Sequence, residues 1–213
     1  QHTLRAAKGG SPQDAVLEVV REAVVATKDV RFEGNNYAPE WVEEAKKRGL
    51  PNLKQSPEAL GELVKPEAKE FLARTKVFTE AESDARYHVR MERYIKDLDI
   101  EVEALKNLVS GHVLPAAFKQ LALLSKAGSG KTIRSTAERV EASIEALNTR
   151  VADLQSAAEK ASGAGDLVKH APILADQVVP AMAAVREVCD KIEETVADEF
   201  WTLPKYREML FLV

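Results

Sequence analysis

Residues 79–113, TEAESDARYHVRMERYIKDLDIEVEALKNLVSGHV, decide the fold class. Thr79-Glu80-Ala81-Glu82 has the spacing of a capping box, in which the Thr79 hydroxyl and the Glu82 carboxylate each take a backbone N–H that the first helical turn leaves unpaired. Behind it Met91, Ile95, Leu98, Val102, Leu105, Val109 and His112 step by four and three, the rhythm of one helical face. That rhythm returns twice. Ile133, Ala137, Val140, Ile144, Leu147, Val151, Leu154 and Ala158 carry it first, then Leu174, Val178, Ala181, Val185, Val188 and Ile192. Glycine-rich breaks at Ala127–Gly130 and Ser162–Gly165 part the three stripes. The pattern predicts a mainly α chain with an antiparallel bundle of long helices and coiled-coil-like seams. Pro115 and Pro180 fall inside the predicted helices and are expected to kink or break them. The stripes share a period but not a repeated sequence.

Upstream the texture is different. Ser11 caps a predicted helix that has Pro12 at its first position and Asp14 in its positive first turn, and that ends near Lys28. Ala15, Val16, Val19, Val20, Ala23 and Val24 are expected to supply its buried stripe. Gly34-Asn35-Asn36 marks a turn, Pro39 opens a short helix, and Gly49 ends it. Two further proline-led turns follow, at Ser56-Pro57 and Lys65-Pro66. These short elements read as a segment wrapped over some other surface. At the far end, Trp201, Leu203, Tyr206, Met209, Leu210 and Phe211 concentrate apolar weight in a tail that must dock somewhere.

Composition narrows the function classes. The 213 residues suffice for a sizeable core, and 45% apolar with only 6% aromatic residues favours long helices over a sheet. A formal charge of −4 with no basic stripe argues against nucleic acid. No apolar run approaches the ~18 residues of a membrane span, and no secretory signal opens the chain. Cys189 has no second cysteine to pair with, which fits a reducing cytoplasm. Gln1 is not an initiator methionine, so the chain is expected to be a piece of something longer.

Few motifs carry chemistry. Ala127-Gly128-Ser129-Gly130-Lys131-Thr132 looks like a phosphate-binding loop, but Ser125 stands where the motif needs its first glycine, and the segment leading in reads as helix instead of strand. The expected reading is an interhelical turn, with Ser129 or Thr132 capping the next helix. His2, His88, His112 and His170 have no ligand spacing among them, and Cys189 stands alone, so no metal-binding residue is assigned. His112 continues an apolar stripe and is expected to be half-buried with one nitrogen satisfied. Glu43-Glu44, Glu193-Glu194 and Asp198-Glu199 sit beside basic residues and read as solvated faces. No catalytic or cofactor-binding residue is assigned either. Phe32-Glu33-Gly34-Asn35-Asn36-Tyr37 stands out, because Gly and Asn tolerate special backbone geometry and a helix follows at once. A structural turn, or a loop gripping a neighbouring domain, both fit it.

FEGNNYAPEWVEEAKKRGLPNL (Phe32 to Leu53), KVFTEAESDARY (Lys76 to Tyr87) and WTLPKYREMLF (Trp201 to Phe211) resemble the C-terminal part of type III glutamine synthetase. That resemblance implies a division into 1–78, the helical end of a catalytic domain; 79–199, a long-helix extension; and 200–213, a docking tail. It implies short helices packing on a catalytic domain that lies upstream of Gln1. It further implies an ATP-dependent ligase joining ammonia to glutamate, with magnesium or manganese, in a large homo-oligomer of stacked rings. The metal-, ATP- and glutamate-binding motifs of that family lie upstream of the matched region, so the fragment alone is expected to be inactive. A free-standing helical module that binds partner helices is the alternative.

Overall fold

The computed structural model describes residues 11–210, so the expectations placed on Gln1, His2 and Phe211 lie outside the described residues. The described residues form helices and no strand, in two compact units, Gln1–Lys54 and Gln55–Val213.

In the first unit, α1 (Pro12–Ala26) starts as expected: the Ser11 hydroxyl accepts the Asp14 N–H at 3.1 Å. It stops two residues short of Lys28, where a 3-10 turn (Lys28–Val30) takes over. α2 (Pro39–Lys47) ends at Gly49, whose φ of +75° lets its N–H reach Lys46 O while Leu50 N–H reaches Ala45 O. Those paired bonds satisfy carbonyls that a helix end otherwise strands. Its described residues, 11–54, have almost no interior: the buried apolar ones are Ala15 and Ala45, at 5% and 9% exposure.

The second unit is the opposite. α3 (Ser56–Gly61) and α4 (Pro66–Arg74), joined by a 3-10 turn (Glu62–Val64), lie against the start of α5 (Glu80–Leu108). The Thr79 capping box forms in full. Three rods then build the bundle. The first runs through α5, a π turn (Val109–Val113) and α6 (Leu114–Ala127); the second is α7 (Lys131–Ser162). The third runs through α8 (Leu167–Ile173), a π turn (Leu174–Val178) and α9 (Val179–Thr195). Connections this short force successive rods to run antiparallel. All three stripes face the shared core: Met91, Ile95, Leu98 and Val102 meet Val140, Ile144, Leu147 and Leu154, with Leu174, Val178, Val185, Val188 and Ile192 closing the third side.

The two prolines do not break their rods. A proline lacks the N–H owed to the carbonyl four residues back. Each rod absorbs the loss beforehand by slipping one register: Leu114 N–H bonds to Val109 O, and Val179 N–H bonds to Leu174 O, five residues back in both cases. The π turn then hands over to a fresh α segment in which Pro115 or Pro180 occupies an initial position that tolerates it. The second π turn is also tied sideways, as Gln55 Nε2 donates to Asp176 Oδ1 at 2.9 Å. Burial, then the nearby Asp176, pushes the Tyr94 phenol above its usual range.

Candidate docking loop and C-terminal tail

The Phe32–Tyr37 loop is built on Arg48. Its Nη1 donates to the carbonyls of Arg31 at 2.7 Å, Lys28 at 3.3 Å and Asp29 at 3.4 Å, while its Nε holds Glu44 at 2.9 Å. The same guanidinium lies 5.6 Å from the centre of the Trp41 ring, which stacks on Phe32 at 4.6 Å. Gly34 allows that ring its place, since a Cβ there would come within 2.6 Å of the Phe32 ring. Asn35 then closes the turn, with Oδ1 accepting the Tyr37 N–H at 3.0 Å. A stiff loop therefore ends on Tyr37, which is 98% exposed. On α1, Val16, Leu17, Val20 and Val24 share one side of the helix and are all exposed. Of the stripe expected to be buried, Ala15 is buried and Val19 half-buried, while Val16, Val20 and Val24 are exposed.

The described part of the tail docks on its own bundle. Gln120 Oε1 accepts the Ala197 N–H at 3.0 Å, and His112 Nδ1 lies 2.6 Å from Thr202 Oγ1. His112 is half-buried with one nitrogen paired, as its place on the stripe requires. Trp201 and Leu203 pack against the core cluster, and Lys205 Nζ meets Asp198 at 2.5 Å. Beyond them α10 (Tyr206–Leu210) leaves Met209 and Leu210 exposed. Half-buried Cys189 lies beneath the tail; burial first, then the charge on Asp190, pushes its thiol up to about 11.

The glycine-rich loop at 128–130 joins two helices, with no strand leading in, and so lacks the setting of a phosphate loop. Neither Ser129 nor Thr132 caps α7. Gly130 takes the N-cap position with no side-chain bond, because Gly128, at φ +119°, already carries the chain from one helix to the next. Among the described residues no three His, Cys, Asp or Glu side chains come together as a metal such as magnesium or manganese would need. His88 lies edge-on to Tyr87, far from any such role, and His170 has a buried Nε2 without a partner. No described helix is long and apolar enough to cross a membrane.

Residues 15–131 match the family model of the glutamine synthetase C-terminal domain. The chain is also 30% identical to a glutamine synthetase of Bacteroides fragilis (strain YCH46) over 218 residues, which span 96% of this chain and 30% of that protein. A glutamine synthetase of Butyrivibrio fibrisolvens is 30% identical over 98% of the chain and 31% of its own length. A type-3 glutamine synthetase of Dictyostelium discoideum is 30% identical over the whole chain and 31% of its own length. The chain thus spans under a third of the relatives it matches.

Proposed function

The chain belongs to the glutamine synthetase C-terminal domain family, and from that premise we propose that it is the helical C-terminal portion of an ATP-dependent glutamate–ammonia ligase. In this reading residues 1–78 support the active-site domain, 79–199 extend it, and 200–213 close the extension. ATP and a divalent ion are held by the rest of the enzyme, and no residue of this chain is assigned to them. The enzyme works in the cytoplasm as a large homo-oligomer of stacked rings.

The observation that carries the reading is the near absence of a core in residues 11–54. A unit that buries two alanines while exposing Val16, Leu17, Val20, Val24 and Tyr37 leaves apolar area in water, at roughly 25 cal/mol per Å2. The relatives' additional length supplies a body for those faces to cover. An acidic side chain on α1 tests this. In the full-length enzyme, Val20→Asp should abolish or sharply lower glutamate-dependent phosphate release, whereas Glu145→Ala, exposed on α7 of the extension, should not. The 213-residue chain alone should show no turnover with ATP, ammonia and magnesium. Turnover by the chain alone, or a Val20→Asp enzyme with normal activity and assembly, would defeat the proposal.

A further inference from the structure

The first rod turns one apolar side to the core and a second to water. Ile100, Ala104 and Asn107 on α5, Gly111 in the π turn, and Phe118 and Ala122 on α6 follow one another along its outer side, with half-buried Pro115 between. All six are exposed, Ile100 at 68% and Phe118 at 52%. The stripe spans roughly 33 Å, at about 1.5 Å for each residue of helix. Its charges are divided along its length. Residues 97–103 hold four acids, Asp97, Asp99, Glu101 and Glu103, and no base, whereas α6 holds Lys119 and Lys126 and no acid. A face that is acidic at one end and basic at the other is complementary to itself when reversed.

We infer that two copies of this chain pair through this face, rod against rod and antiparallel, about a two-fold axis at Gly111. Gly111 is the middle residue of the π turn (Val109–Val113), so the turn lies evenly on both sides of the axis. A Cβ there would meet no atom within 4 Å, which leaves the axis open to close approach. With Gly111 level with its own copy, Ile100 comes level with the second copy's Ala122, and Ala104 with its Phe118. A large side chain thus falls beside a small one at both levels, as interdigitation needs. Residues 97–103 lie over 119–125 of the second copy, and Lys119 comes level with Glu103. The Glu103 carboxylate holds Lys106 at 2.8 Å and keeps further acceptor sites for a second cation. A parallel pairing would lay acid on acid. The contact is the same patch on both copies, so it closes at two. The ligase reading calls for contacts between copies without placing them, and this pairing stands without that reading.

Sedimentation equilibrium on the 213-residue chain should show monomer and dimer exchanging, with a dissociation constant of about 10–100 µM for a contact smaller than a standard interface. Gly111→Glu sets two carboxylates against each other on the axis and should leave only monomer. Glu103→Lys and Lys119→Glu should each weaken association about tenfold, and the two together should restore it. Circular dichroism checks that each variant is folded; should Gly111→Glu unfold, the two charge reversals and their combination carry the test alone. A chain that stays monomeric up to ~1 mM would give the face to another occupant and overturn the inference. A dimer indifferent to Gly111→Glu, or a double reversal that fails to recover association, would overturn it too. None of these outcomes touches the ligase reading, which is judged by the activity of the full-length enzyme.

Discussion

Gln120 and Ala197 stand 77 positions apart and share one hydrogen bond, from the Ala197 N–H to Gln120 Oε1 at 3.0 Å. Gln120 is one of two buried polar side chains on the described bundle, the other being Ser83. Its amide oxygen meets the chain where it leaves α9, so the end of the first rod is tied to the start of the tail. Gln120→Leu would leave that N–H without an acceptor and should lower stability by about 1–3 kcal/mol. Neighbouring exposed Lys119→Ala should change it by less than ~0.5 kcal/mol. Urea midpoints at constant slope measure both, and equal midpoints would mean the tie contributes nothing.

Leu147 sits at 0% exposure in the middle of the second rod, two residues from exposed Glu145. Leu147→Ala leaves a cavity between three rods that cannot close by small shifts, and should cost about 2–5 kcal/mol. Glu145→Ala should cost little. Denaturant unfolding that fails to separate the two variants would refute the assignment of the seam.

Two helix ends are closed by the same pair of bonds around a left-handed residue, and only one of these two residues is glycine. Gly49 has φ +75°, and Lys76, after α4, has φ +57° with the same pair of bonds, from its own N–H to Ala73 O and from Val77 N–H to Leu72 O. A side chain in that region costs roughly 1–2 kcal/mol. Lys76→Gly should therefore stabilise the chain by about 0.5–1 kcal/mol after the added freedom of the unfolded glycine is subtracted. Gly49→Ala should destabilise the first unit. A Lys76→Gly chain that melts lower than the original would contradict this.

Glu82 should make stability depend on acid. The Thr79 backbone N–H and hydroxyl hold its carboxyl below the usual carboxylate range. The folded-state value is thus lower than the unfolded one, about 4.3. The contribution is complete above the unfolded value and is lost as pH falls through the folded value. Glu82→Gln keeps an acceptor but removes the titration, so its stability should fall less steeply below pH ~4.3. Parallel acid limbs in urea titrations would exclude the box as their cause.

The rods were legible because a seam is periodic, and Leu98, Leu147 and Val185 each sit in register with neighbours three or four residues away. The π turns were not. Pro115 announces a missing N–H, but whether a rod bends or slips depends on the packing of Val109 and Val113 against the facing helices, which no local pattern encodes. The stripe on α1 was found, but Val16, Val20 and Val24 lie exposed in this chain, since periodicity shows that a face is apolar and not what covers it. Arg48 was missed entirely. Its partners at 28, 29 and 31 are backbone carbonyls, which every sequence has, so no residue type flags them.

Only the thiolate of a cysteine is attacked by alkylating reagents. With its thiol pushed up to about 11 beneath the tail, Cys189 is almost wholly protonated at neutral pH while the chain is closed. Any lifting of the tail would expose the group further to water and return it toward its ordinary acidity. Its modification rate would therefore be a clock for such a movement, and because Cys189 is the chain's single cysteine, the clock needs no other residue removed before it can be read.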